Sequence, residues 1–272
     1  MYLLNKHIHP SNFRFADSLS SRFSIGESTY RLMTHSFDDV YQISISAENR
    51  SDKKRVQPPL NALDRVCGGE VHHNTQLAAT STGEFILTDR GGREVLRSCS
   101  GMGFGISGSQ WMCTFVREQE TQFFGLGEKQ TFFERSGRSY KFWNLDCWAD
   151  HGHDTVAHHF YDPDYISIPY LIIKRQNEYV GILMDTPYCS VVSIDQKDVI
   201  AAQMEVHEQH PQSMLYLGAE DGPPSLYIIY GPSLAELTRK FQKLVGTLPL
   251  PPLWALGYHQ SRWGYRSDKD LL

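Results

Sequence analysis

Between residues 143 and 148 the sequence reads Trp-Asn-Leu-Asp-Cys-Trp. Tryptophan faces stack on the apolar faces of sugar rings, while Asn and Asp can hydrogen-bond adjacent hydroxyls. Trp143, Asn144, Asp146 and Trp148 are therefore candidate substrate-binding residues. The same composition also suits a structural turn with buried tryptophans, and the residues alone leave both open. A second polar stretch, His259-Gln-Ser-Arg-Trp263, directly follows an apolar segment. In a barrel, function gathers at the C-terminal ends of strands, which makes this stretch a candidate too. A segment linking two domains is the plainer alternative.

Other chemistries are weaker. His151, His153, Asp154, His158 and His159 are dense enough to raise a metal site. The arrangement H-x-H-x-D-H fails, however, because Thr155 and Val156 stand at the required Asp and His positions. A polar loop with solvated histidines is the simpler expectation, and the His72-His73 pair is equally unpatterned. Gly103, Gly105 and Gly108 spell G-x-G-x-x-G. A dinucleotide site needs a helix after that pattern, whereas Gln110–Val116 reads as a strand. Neither G-x-S-x-G nor a P-loop occurs, and the carboxylates are too scattered for a catalytic pair to be chosen by spacing. No catalytic residue, metal ligand or cofactor is assigned.

The elements that must hold these residues are mostly strands. Tyr41, Ile43 and Ile45 alternate with polar residues, the period of a half-buried strand. Glu84–Thr88 and Arg93–Arg97 flank a turn-rich Asp89-Arg-Gly-Gly92 and predict a hairpin. Trp111–Val116, Tyr170–Ile173, Tyr179–Met184, Ser190–Ile194 and Leu226–Tyr230 follow at strand lengths, and Asn49–Pro59 reads as a loop. Many short strands favour a β-sandwich or barrel. One helix is well signalled. Ser233 and Glu236 suggest a capping box, and Leu234, Leu237, Phe241, Leu244 and Val245 share a face. Glu236 and Lys240 are spaced as an i,i+4 ion pair, and Gly246 can end the helix in a left-handed conformation. A stiff linker, Thr247-Leu-Pro-Leu-Pro-Pro252, comes next. Leu253–Tyr258 then reads as a buried strand, and Ser267–Asp270 as a capped helix start.

The 272 residues are 40% hydrophobic, 12% aromatic and 21% charged, as in a folded globular protein. Lys and Arg total 26 against 31 acidic residues, a net charge of −5 that argues against a nucleic-acid surface. The five cysteines (Cys67, Cys99, Cys113, Cys147 and Cys189) show no C-x-x-C spacing. Free thiols in a reducing, cytoplasmic setting are expected. The N-terminus lacks the signature of a signal peptide, and no apolar run is long enough to span a bilayer, so no membrane partner is expected.

These residues resemble the N-terminal region of glycoside hydrolase family 31, the α-glucosidase and α-xylosidase family. Phe124-Gly-Leu-Gly-Glu128 resembles its G-L-G-E segment, and Trp143-Asn-Leu-Asp146 with Tyr165–Tyr170 its N-x-D loop and following strand. Gly231-Pro-Ser-Leu-Ala-Glu236 resembles its helix start, and the long stretch Pro249–Trp263 its entry into a catalytic barrel. The resemblance implies a mainly β, galactose-mutarotase-like β-sandwich followed by the first βα element of a truncated (β/α)8 barrel. Residues 1–246 would form the sandwich with its closing helix, and residues 247–272 the linker and barrel start. It also implies that Asp146 binds sugar hydroxyls, Asn144 shapes the loop, and Arg262 and Trp263 lie on the pocket wall or domain interface.

Family members are retaining α-glycosidases, whose two carboxyls must sit about 5–5.5 Å apart. Both come from later barrel strands, and a TIM barrel alone needs about 250 residues. The family's W-x-D-M-N nucleophile segment is absent, since Cys147 and Trp148 stand where its Met and Asn belong. The expectation is therefore part of an α-glycosidase, binding an α-linked oligosaccharide beside its own catalytic barrel but inactive alone. A stand-alone carbohydrate-binding module is the alternative, and a mutarotase-like epimerase ranks below it.

Overall fold

The computed structural model describes residues 8, 10–48, 73–129, 132–144, 162, 165–194, 214–259, 264 and 266–270. A six-stranded sheet runs β1 (Arg14–Phe15), β8 (Phe104–Ser107), β9 (Gln110–Val116), β15 (Met214–Ala219), β14 (Ser190–Ile194), β11 (Arg138–Phe142). A seven-stranded sheet runs β10 (Gln122–Gly125), β12 (Tyr170–Arg175), β13 (Glu178–Met184), β16 (Ser225–Gly231), β4 (Val40–Ala47), β3 (Ser28–Phe37), β2 (Arg22–Ile25). A three-stranded sheet joins β5 (Thr75–Ala79), β6 (Phe85–Asp89) and β7 (Glu94–Arg97). The pairings are antiparallel.

One apolar cluster joins the sheets. Trp111, Phe115, Val192 and Leu217 from the six-stranded sheet meet Ile43, Leu171, Ile182 and Ile228 from the seven-stranded one, with Phe85 and Leu87 from the third. This is the predicted sandwich. The outer face of the seven-stranded sheet is covered by α1 (Leu234–Val245), which buries Leu237 and Leu244 against Val40, Tyr227 and Ile229. β16 is thus buried on both faces, which explains its unbroken apolar run where β4 alternates. The G-x-G-x-x-G stretch supplies β8 and the turn into β9. Gly108 (φ 64) opens a two-residue turn between the paired Ser107 and Gln110, and no helix follows.

The helix departs from expectation in its polar contacts. The Ser233 hydroxyl accepts from Glu236 N at 3.2 Å, but the Glu236 carboxylate turns to Arg239. The predicted Glu236–Lys240 pair does not form. Lys240 lies on the buried face, where its Nζ donates to Asp39 Oδ2 at 2.9 Å and to the Tyr230 carbonyl at 3.0 Å. Leu234 and Val245 are exposed rather than buried. Phe241 does face the sheet, its ring stacked on Tyr170 at 4.0 Å.

The expected strand at Leu253–Tyr258 is also corrected. Leu253–Leu256 forms a 3-10 turn after Pro252, closed by Ala255 N to Pro252 O and Gly257 N to Trp254 O. No described strand lies alongside to supply a ladder, so the local turn takes the backbone bonds. Asp268–Asp270 is a second 3-10 turn, whose Asp270 carboxylate accepts from Arg266 N and Ser267 N. Cys99, Cys113 and Cys189 are free, and burial raises all three thiols, Cys189 to about 11. Cys67, Cys147 and the Asn49–Pro59 loop lie outside the described residues.

Candidate functional site at the end of β11

β11 is an edge strand, paired with β14 from Arg138↔Ile194 to Phe142↔Ser190. The chain then leaves the sheet as Trp143 and Asn144, both exposed. Together with Phe142 they line a cleft of about 310 Å³ that is closed by Ser167, Pro169, Thr186, Pro187, Tyr188 and Ser190. That volume is at the lower end of the range of about 300–1,000 Å³ for small-molecule sites. Thr186 Oγ1 accepts from Tyr188 N at 3.2 Å and fixes the turn that presents the Tyr188 ring. The Ser167 hydroxyl is buried without a hydrogen-bond partner among the described residues. Three aromatic rings, an amide and hydroxyls thus meet in one concavity, a set suited to stacking on and hydrogen-bonding a polyol.

The floor is held by Phe124–Glu128. Gly125, Leu126 and Gly127 have φ of 87°, 69° and 64°, so this backbone is left-handed three times in succession. Leu126 N donates to the Tyr170 carbonyl at 2.8 Å, and Arg135 Nε to the Gly125 carbonyl at 3.1 Å. A side chain at Gly127 would place its Cβ 2.7 Å from Ile168 Cβ. The glycines let this segment lie against 168–170, and so set Ser167 and Pro169 beneath the cleft.

Lys129 and Asp162 were not picked out by sequence. Lys129 has only 1% of its side chain exposed, and its Nζ donates to Asp162 Oδ1 at 2.7 Å and to the Lys141 carbonyl. Asp162 in turn accepts from Lys141 N at 3.1 Å through both oxygens. Burial raises the Asp162 carboxyl above its ordinary value, against the lowering charge and hydrogen bond of Lys129. No spacing rule joins residues 129, 141 and 162, which meet only in space.

Of the predicted site residues, Trp143 and Asn144 are brought together in the cleft. Trp143 is 46% exposed, so for this residue the buried-turn alternative does not hold. Asp146, Trp148, Arg262, Trp263 and the histidine-rich 151–159 lie outside the described residues. Among the described residues no His, Cys, Asp and Glu cluster could hold a metal, and no helix is long and apolar enough to cross a membrane. A larger cavity of about 660 Å³ lies between β3, β4 and the three-stranded sheet. Much of its polar lining is spent internally, with Tyr41 OH on Thr75, Arg90 on the His73 carbonyl and Asp89 on Arg93.

Residues 29–192 match the family model of the glycosyl hydrolase 31 N-terminal galactose mutarotase-like domain. The chain belongs to glycosyl hydrolase family 31. Relatives include alpha-glucosidase 2 of Bacillus thermoamyloliquefaciens, 31% identical over 187 residues, which are 68% of this chain and 21% of that protein. Human neutral alpha-glucosidase AB is 30% identical over 143 residues, 50% of this chain and 14% of that one. The chain therefore spans about a fifth or less of these relatives. Among solved structures, a family 31 dextranase from Flavobacterium johnsoniae, complexed with glucose and, as a mutant, with isomaltotriose, superposes with a TM-score of 0.67 at 21% identity. The match covers 90% of this chain and 30% of that one. The glucosidase II alpha subunit gives 0.63 at 15% identity, over 96% of this chain and 36% of that one. At these identities the likeness is one of fold, and it agrees with the sandwich seen here.

Proposed function

We propose that this chain is the N-terminal part of a retaining α-glycosidase of the α-glucosidase type, and that it supplies carbohydrate-binding residues beside a catalytic barrel. Residues 1–246 form the sandwich with its helix, and residues 247–272 lead toward the barrel. The observation that carries this is the cleft at the end of β11 within a family 31 N-terminal domain, walled by Trp143 and Asn144. The Trp143 ring stacks on a sugar face, the Asn144 amide and Ser167 hydroxyl bond its hydroxyls, and Asp146 and Trp148 extend the contact. Arg262 and Trp263 add to the pocket wall. The dextranase's isomaltotriose supports an α-linked oligosaccharide as the ligand.

The chain carries no catalytic Asp pair, so it binds without cleaving. Incubated with p-nitrophenyl α-glucoside, it should release no nitrophenol. Titrated with isomaltotriose, it should give a saturable change in tryptophan fluorescence. Turnover that disappears in Asp146→Ala alone would overturn the absence of a catalytic pair. A flat titration would overturn the carbohydrate assignment.

A stand-alone binding module is the second reading. It predicts no large apolar surface left uncovered, whereas Leu248, Leu250, Leu253 and Trp254 are strongly exposed. That exposure favours a sandwich that packs against further protein.

A further inference from the structure

Among the described residues, the open edge of β11 is closed at one peptide pair by charges rather than by a strand. Lys141 turns both its N–H and its C=O away from β14. The N–H is taken by the Asp162 carboxylate, at 3.1 Å to each oxygen, and the C=O by the Lys129 ammonium. Lys129 and Asp162 also bond each other at 2.7 Å, so the ion pair supplies the acceptor and the donor that a neighbouring strand would have offered. The ammonium lies 4.6 Å from the centroid of the Phe142 ring, which gives the buried cation another favourable neighbour. Phe142 is a cleft residue, and Trp143 and Asn144 follow it directly.

A buried ion pair is a poor source of stability, because desolvation offsets most of the attraction and an apolar pair of like volume often does as well. It does fix geometry, since each partner is committed by direction as well as by contact. Here the commitment falls on the last peptide groups before the chain enters the cleft.

We propose that Lys129 and Asp162 are a positioning pair, which acts through Lys141 and Phe142 to set Trp143 and Asn144 at the angle that binds sugar. The sugar-binding part rests on the function proposed above. The test uses the 272-residue chain with Lys129→Met, Asp162→Asn and the double variant, which leaves no unpaired buried charge should a single variant fail to fold. Three measurements are made on each: the far-UV circular dichroism, the indole N–H resonance of Trp143 (assigned by its loss in Trp143→Phe), and the isomaltotriose titration.

The expected result is retained circular dichroism and an unmoved resonance for Trp111, which is buried in the sandwich core. The Trp143 resonance should be displaced or broadened, and isomaltotriose affinity should fall about tenfold, as misplacement of a binding group predicts. A merely stabilising role would lower the melting temperature and leave the Trp143 resonance in place. A Trp143 resonance unchanged in the folded double variant overturns the proposal, and does so even if the wild-type chain binds isomaltotriose. A displaced resonance in a chain that never binds isomaltotriose upholds the positioning and overturns the carbohydrate assignment instead.

Discussion

At the level of single side chains, Trp143 and Asp39 play opposite parts. Trp143 is half in solvent, so its removal should disturb binding more than folding. Trp143→Ala is expected to weaken isomaltotriose binding by about 1 kcal/mol, roughly fivefold, with a change in stability within about 0.5 kcal/mol. Fluorescence titration and thermal melts on the same sample check both. Asp39 is fully buried. It accepts from Lys240 at 2.9 Å, from Asn74 N at 2.6 Å and Nδ2 at 3.0 Å, and from Thr75 N at 3.0 Å. Burial pushes its carboxyl up, but the Lys240 hydrogen bond and charge, with the Asn74 donors, outweigh burial and leave it below its usual value. A carboxyl lower in the folded than in the unfolded chain contributes stability above the unfolded pKa of about 3.9. That contribution is lost as the pH falls through the folded value. Asp39→Asn should therefore flatten the decline in melting temperature below about pH 4. At neutral pH it should cost about 3–5 kcal/mol, because Lys240 is left buried without its counter-ion. Asn tolerates the φ of 57° found at this position, so backbone strain does not confound the comparison. Melts from pH 2 to 7 decide it. An unchanged acid slope would show that Asp39 does not carry the effect. Neither partner was legible in sequence as half of a pair, since Asp39 and Lys240 are 201 positions apart.

At the level of elements, local signals were sufficient where local physics decides. β4 follows its alternation, β6 and β7 form the predicted hairpin, and β16 keeps its apolar run because sheet and helix cover both its faces. The helix bounds were legible from Ser233 and Gly246. Ser233→Ala is expected to destabilise the chain by about 1 kcal/mol in urea titration, because the Glu236 N–H loses its acceptor, while Ser233→Asp should lose nothing measurable. Equal losses in the two variants would show that the cap contributes nothing. The buried face of the helix was less legible. Lys240 at a core-facing position reads as an error of patterning until the Asp39 carboxylate is found opposite it. The cleft was half legible for a related reason. Trp143 and Asn144 announce their chemistry by type, whereas Ser167, Thr186 and Tyr188 are ordinary residues that the turns between strands bring to the same place. The Lys129–Asp162 pair is a tertiary feature altogether, and only the edge position of β11 explains why charges stand where a strand would.

At the level of the whole molecule, the sandwich carries a surface that its own core does not use. Leu248 is 94% exposed, Leu250 93%, Leu253 85% and Trp254 73%, all within one short segment after α1. Isolated exposed apolar residues are ordinary, but a contiguous run of large ones marks a contact surface or an aggregation hazard. Its first part, Thr247–Pro252, reads in sequence as a stiff linker, and Leu253–Tyr258 as a buried strand because it is apolar. Leu253–Leu256 forms a 3-10 turn instead, because no described strand lies alongside to give its backbone a ladder to join. The two observations are consistent if this segment takes strand form only when further protein lies beside it, as the proposed barrel would. Substitutions here should then leave the sandwich intact and change how the chain associates. Leu250→Ser combined with Trp254→Ser is expected to alter unfolding stability by no more than about 0.5 kcal/mol, the range of surface changes that break no core contact. The parent chain is expected to self-associate through this surface as its concentration rises, and the same double variant to sediment as a monomer throughout. A large loss of stability would instead place these side chains within the core of the sandwich, and would favour a module complete in itself over one that packs against a partner domain.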